Sequence, residues 1–113
     1  MASAPSVNTS GSQTCTISTE HTLATLTSAG VYQLALDLNA IVGGSTPDIL
    51  EVRVYGKARS SDTERRMDLH TFVGTQSDPL VLCKPIISPH HYKVTITQTQ
   101  GTGRAVPWAV YQI

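Results

Sequence analysis

The chain has 113 residues, of which 14% are charged, with eight basic side chains balancing eight acidic ones. That length fits one domain burying roughly two thirds of its unfolded surface, and the charge content lies below the usual ~25%. Nucleic-acid binding by counterion release needs a basic stripe, and an anionic membrane attracts clustered Lys and Arg. No segment gathers one sign of charge, so neither partner is expected.

In chain order, Met1–Thr14 comes first, mostly Ser, Thr, Gly, Pro and Asn with almost nothing apolar to bury. It has no basic start and no apolar run, so no signal peptide is expected. No stretch of the chain approaches the ~20 apolar residues of a membrane span. The expected compartment is cytosol-like, with release by lysis. A segment with so little apolar surface does not offset its own ordering entropy. Residues 1–14 are therefore predicted to be a mobile arm on a 15–113 domain, with Pro5 and Val7 suited to a strand or groove on another chain.

From Cys15 onward the pattern is short strands between turn signals, and period two prevails throughout. "TISTEHTLATL" reads as a Thr-rich strand. "VYQLALDLNAI" alternates, with Tyr32, Leu34, Leu36 and Leu38 on one face. "ILEVRVYGKA" places Leu50, Val52 and Val54 against Glu51, Arg53, Tyr55 and Lys57. "RMDLHTFVG" is predicted to point Met67, Leu69, Thr71 and Val73 inward. Prolines bound and interrupt "PLVLCKPIIS", which confines it to an edge or a bulge. "YKVTITQTQ" sets Tyr92, Val94 and Ile96 opposite Lys93, Thr95 and Thr97, and "AVPWAVYQI" closes the chain.

Seven or eight strands without a convincing amphipathic helix predict an all-β fold, a single antiparallel β-sandwich or jelly-roll-like domain. The predicted core is Leu34, Leu36, Leu50, Val52, Val54, Leu69, Leu82, Val94, Ile96 and Trp108, with Leu38 and Val110 added. Cys15 and Cys83 are too few for a disulfide scaffold and match no zinc spacing; buried free thiols are expected.

Chemistry-bearing constellations are sparse. Gly101-Thr102-Gly103-Arg104 is the only glycine-rich turn with a basic neighbour, but a phosphate loop leads into a helix. Here both flanks are strand-like, so a plain hairpin is expected, with positive φ at Gly101 and Gly103. Glu64, Arg66, Asp68 and His70 would share one strand face and are expected to be solvated rather than an acid–base or metal site. His90 and His91 project to opposite sides if extended and are not expected to grip a metal together. No nucleophile elbow of the G-x-S-x-G type occurs, so no enzyme, cofactor or metal is expected. Tyr55, on a polar face with Arg53 and Lys57, is the best-placed exposed aromatic for a sugar or a partner.

"GVYQLALDLNAI", "ILEVRVYGKARSSDTERR" and "TQTQGTGRAVPWAVYQI" resemble small virion-associated proteins of tailed bacteriophages, over roughly Thr27 to Ile113. The resemblance lies in the order of strands and the closing pattern, and it carries no catalytic signature. It implies a capsid decoration or cement protein, a homotrimer on the outer capsid surface that clamps neighbouring capsomers of the major capsid protein. The alternative is a carbohydrate- or receptor-binding module of a head or tail fibre. Pro5, Val7, Tyr55, Arg65, Arg66, His90 and His91 are the candidate partner-contact residues on either reading.

Overall fold

The computed structural model describes residues 5–113, and among them every regular element is a strand. The strands are β1 (Ser6–Thr14), β2 (Glu20–Leu26), β3 (Gly30–Asp37), β4 (Ile49–Gly56), β5 (Arg65–Val73), β6 (Leu80–Leu82), β7 (Ile86–Ser88), β8 (Tyr92–Gln100) and β9 (Ala105–Gln112). One sheet runs β1-β9-β3-β6, with β7 also on β3; the other runs β2-β8-β4-β5. All pairings are antiparallel. If β6 and β7 count as one interrupted strand, this is the eight-strand order of a jelly roll.

The interruption has a local cause. Lys84 and Pro85 separate two three-residue strands, and a proline supplies no N–H to a ladder. Each half still finds β3: Ala35 to Asp37 hold β6, and Gly30 to Tyr32 hold β7.

The core lies between the sheets. Tyr32, Leu34, Leu36 and Leu38 descend from one sheet onto Leu50, Val52, Val54, Tyr92, Val94 and Ile96 of the other, with Val106 and Val110 completing it. Ten of the twelve predicted core residues are buried or packed against this cluster; Trp108 does so only in part. Leu69 and Leu82 do not belong to it, at 39% and 56% exposed. In β5 the predicted faces are reversed. Register sets Val52 opposite His70, Val54 opposite Asp68 and Leu50 opposite Phe72, so those three face inward while Leu69 stands opposite Arg53 on the outside. A register shift between Val54 and Tyr55 then returns Arg66 to the outer face beside Tyr55. Glu64, Arg66, Asp68 and His70 therefore do not share one face.

Two further expectations give way. Ser6–Thr14 is not a loose arm but an edge strand, paired with β9 from Ser6↔Gln112 to Thr14↔Ala105. Backbone pairing supplies what its side chains lack, and the Trp108 ring packs over Gly11, where a Cβ would come within 3.2 Å. Met1–Ala4 lie outside the described residues. The second change concerns the last glycine turn: β8 and β9 belong to different sheets, so Gly101–Arg104 is an arch between sheets rather than a hairpin. Cys15 and Cys83 are free and buried as expected. Burial raises both thiols, Cys83 to about 11, so neither is a ready thiolate.

Candidate functional site

The arch does hold an anion, and the chain itself provides it. Asp48, in the loop before β4, turns its buried carboxylate beneath Gly101–Arg104. Oδ1 accepts the Thr102 N–H at 3.1 Å; Oδ2 accepts the Val42 N–H at 2.9 Å and Arg104 Nε–H at 2.8 Å. Burial alone would push this carboxyl up, but the bonds from Val42, Arg104 and Thr102 reverse that and hold it below the usual range. Gln98, fully buried, completes the arch: its amide donates to Thr102 O at 2.7 Å and accepts Arg104 N–H at 3.0 Å. The donors a phosphate would need are thus engaged by Asp48. Gly101 has the positive φ expected of it, +96°, but Gly103 does not; Gly103 is small because the Cys15 carbonyl crowds the place of a Cβ.

The two outer faces of the sandwich differ in kind. On the four-stranded sheet, charged groups partner one another. Glu20 accepts from Tyr55 Oη and Thr95 Oγ1, both at 2.6 Å, and these bonds, Thr95's first, hold its carboxyl low. Arg53 pairs with Glu51 at 3.0 Å, and Lys93 lies over the Tyr55 ring. Beside this face, Glu64 joins His91 and Lys93; burial opposes the charge of Glu64, and the bonds from His91 and Lys93 outweigh it. Exposed apolar side chains appear only along the β5 border, at Met67, Leu69 and Val73.

On the five-stranded sheet the register places Val7, Tyr111, Ala109, Pro107, Ala35, Leu80, Leu82 and Ile87 outward. Ile87 is 79% exposed, Leu80 64% and Val7 59%. Asp37 is the single charged residue at the outward positions of these strands. A shallow hollow of about 200 Å³ runs over Ala35, Asp37, Leu80, Pro107 and Tyr111, and a second of similar size lies between Pro5, Val7 and Tyr111. Single exposed apolar residues are ordinary; a contiguous charge-poor face is a mark of an interaction surface.

The candidate contact residues fall into separate places. Pro5 and Val7 flank the second hollow, at the border of the apolar face. Tyr55 and Arg66 are register neighbours on the opposite, polar face, with the exposed Arg65 next to them. His91 is spent on Glu64, and His90 is half-buried in the preceding turn. Leu80, Leu82 and Ile87 escaped the sequence reading because a proline-broken apolar run looks like core until the pairing with β3 shows which side is covered. Among the described residues, no three His, Cys, Asp or Glu side chains gather as a metal-binding group. Asp68 and His70 bond to each other at 2.9 Å, on the inward side of β5. Comparison with protein-family models, curated proteins and solved structures finds no match to this chain.

Proposed function

We propose that the chain is a structural module that docks on a larger protein assembly through the outer face of its five-stranded sheet. In its most specific form it is a capsid decoration protein seated on the major capsid protein at the outer surface of a phage head. The observation that carries the docking reading is the contrast between the two outer faces. One carries several charged groups, Glu51 and Arg53 paired on it and Lys93 with Glu64 beside it. The other is charge-poor, its apolar side chains interspersed with Ser10, Ser12, Thr14 and Gln33 and a single carboxylate. Burying the apolar face strands almost no charge, whereas burying the polar one would desolvate several. The jelly-roll order is compatible with the virion form, being a fold of viral shells as well as of lectin domains, and the resemblance of Thr27–Ile113 supplies the phage.

Size is consistent with docking. The body measures 47 × 32 × 18 Å, and its radius of gyration of 14.5 Å exceeds the ~13 Å of a compact domain this long. A slab of that shape offers a broad face, and covering about 800 Å² of it would make an interface of ordinary size. The sugar-binding alternative gains nothing comparable, because the Tyr55 hydroxyl and ring are already engaged by Glu20 and Lys93.

Co-sedimentation with undecorated capsids tests this. Leu82→Lys with Ile87→Lys is expected to leave the β spectrum and melting temperature nearly unchanged, since both side chains are solvent-exposed. The same pair is expected to weaken capsid binding at least tenfold. Arg53→Ala on the polar face should bind as the parent does. Undiminished binding of the double variant, or a greater loss in Arg53→Ala, overturns the assignment of the face.

A further inference from the structure

Proteins guard sheet edges with charge, proline, bulges or brevity, because an open edge pairs with any strand that meets it. Three of the four edges here are guarded. The β6–β7 edge is two three-residue pieces broken by Lys84-Pro85. β5 carries Arg65, Arg66 and Asp68 and a register shift. β2 carries Glu20 and a shift between Thr22 and Ala24. The fourth, β1, is different. It is nine residues long, "SVNTSGSQT", with no charge and no proline. Its one irregularity lies near an end, between Val7 and Thr9. Among the described residues nothing pairs with its free side.

We propose that β1 is a self-association edge: Ser6–Thr14 of one chain pairs antiparallel with Ser6–Thr14 of a second copy about a two-fold axis, joining their five-stranded sheets into one. Three observations favour a second copy over a foreign strand. An isologous contact sets each residue against its own strand, and β1 presents no charge that could repel its image in any register. Foreign peptides that add to an edge are selected by pockets for alternate side chains, but along β1 the hollow at Pro5 and Val7 stands at one end, and the middle of the strand is Ser10-Gly11-Ser12, side chains too small to wall a specificity pocket. The guarded edges also mean that each chain has one open side, so the association closes at two instead of growing into a fibre.

The pairing is of useful strength. Nine residues extend over about 30 Å, and their ladder would add about nine hydrogen bonds, within the ~10 ± 5 of a typical interface. The joined sheet also doubles the apolar outer face, with Val7 and Tyr111 of both copies near the seam. The inference concerns free protein and does not depend on capsid binding; it replaces the three-fold symmetry implied by the phage resemblance with a two-fold.

Sedimentation equilibrium of the full chain, across a thousandfold range of concentration, should show monomer and dimer only. Ser10→Lys with Ser12→Lys adds an edge guard at two exposed positions; it should shift the association at least thirtyfold toward monomer while keeping the β spectrum. Single cysteines at Asn8, Ser10 and Ser12 should give an oxidised covalent dimer for at least one position, while a cysteine at Thr25 on the guarded β2 edge should not. A chain that stays monomeric, one that forms trimers, or a dimer unaffected by the two lysines overturns the proposal. A parent chain that dimerises but does not bind undecorated capsids would instead count against the docking reading alone.

Discussion

Replacing Asp48 by Ala is expected to cost the domain about 3 kcal/mol, the lower end of the range for removing one partner of a buried ion pair, since the remaining partner, Arg104, is partly open to solvent. The carboxylate is the shared acceptor of Val42 N–H, Thr102 N–H and Arg104. Its loss leaves two backbone donors and a guanidinium facing a void. Against a total stability of roughly 5–15 kcal/mol, this is a large fraction, and at roughly 4 °C per kcal/mol the melting temperature should fall by about 12 °C or more. Arg104→Ala should cost less, because its side chain is 31% exposed while that of Asp48 is 2% exposed, and because Asp48 keeps both backbone donors. Thermal melts of the two variants check the order; equal losses would show that the ion pair, not the backbone capping, dominates.

The same carboxylate predicts the shape of the acid limb. Asp48, Glu20 and Glu64 are all held below their usual range in the folded chain. A depressed folded value means that the unfolded chain binds protons first. The stability these groups contribute is therefore whole above the unfolded values of about 3.9 for Asp and 4.3 for Glu, and is lost as pH falls through the folded ones. Urea melts should show stability flat toward neutrality and falling below about pH 4.3. In Asp48→Asn the fall should be shallower, since one of the titrating groups has been removed. An unchanged acid slope would mean that Asp48 does not carry its share.

How much of this was legible follows from where each residue sits. Leu34, Leu36, Leu50, Val52, Val94 and Ile96 lie on central strands, where both neighbours enforce the alternation and a polar residue on the inner side has no exit. On β5, an edge strand, the inner side reaches the rim. There Asp68 and His70 bond to each other, and only Phe72 packs inward, so hydrophobic parity pointed to the wrong face. β1 was missed because its strand character comes from pairing with β9, a partner about a hundred positions away. The arch between β8 and β9 was read as a hairpin because glycines that turn a chain look the same whether the next strand stays or changes sheet. One signal was present and not used: Gln98 shares the parity of Tyr92, Val94 and Ile96, and a polar side chain on a core stripe calls for buried partners. Those partners are the arch itself.

Two glycines of that arch, compared with Gly44 in the loop before β4, separate backbone strain from close approach. Gly44 has φ +111° but open space around a would-be Cβ, so Gly44→Ala carries backbone strain alone, about 1 kcal/mol. Gly103 has no positive φ, but a Cβ there meets the Cys15 carbonyl oxygen, backbone that belongs to the adjoining Cys15 N–H to Arg104 O bond. That substitution has to displace the start of β9, at an expected cost of about 2 kcal/mol. Gly101 combines both constraints: φ is +96°, and a Cβ meets the Asp48 carboxylate and lies 2.9 Å from its Cα. Gly101→Ala therefore adds strain and drives Asp48 off Thr102 and Arg104, and the expected cost is about 3 kcal/mol or more. Melting temperatures should fall in the order Gly44→Ala, Gly103→Ala, Gly101→Ala, with the last about 12 °C or more below the parent. In the double variant Gly101→Ala, Asp48→Ala the two losses should be far from additive, because both remove the same contact. Full additivity, or a Gly101→Ala no worse than Gly44→Ala, would show that the turn does not rest on the carboxylate.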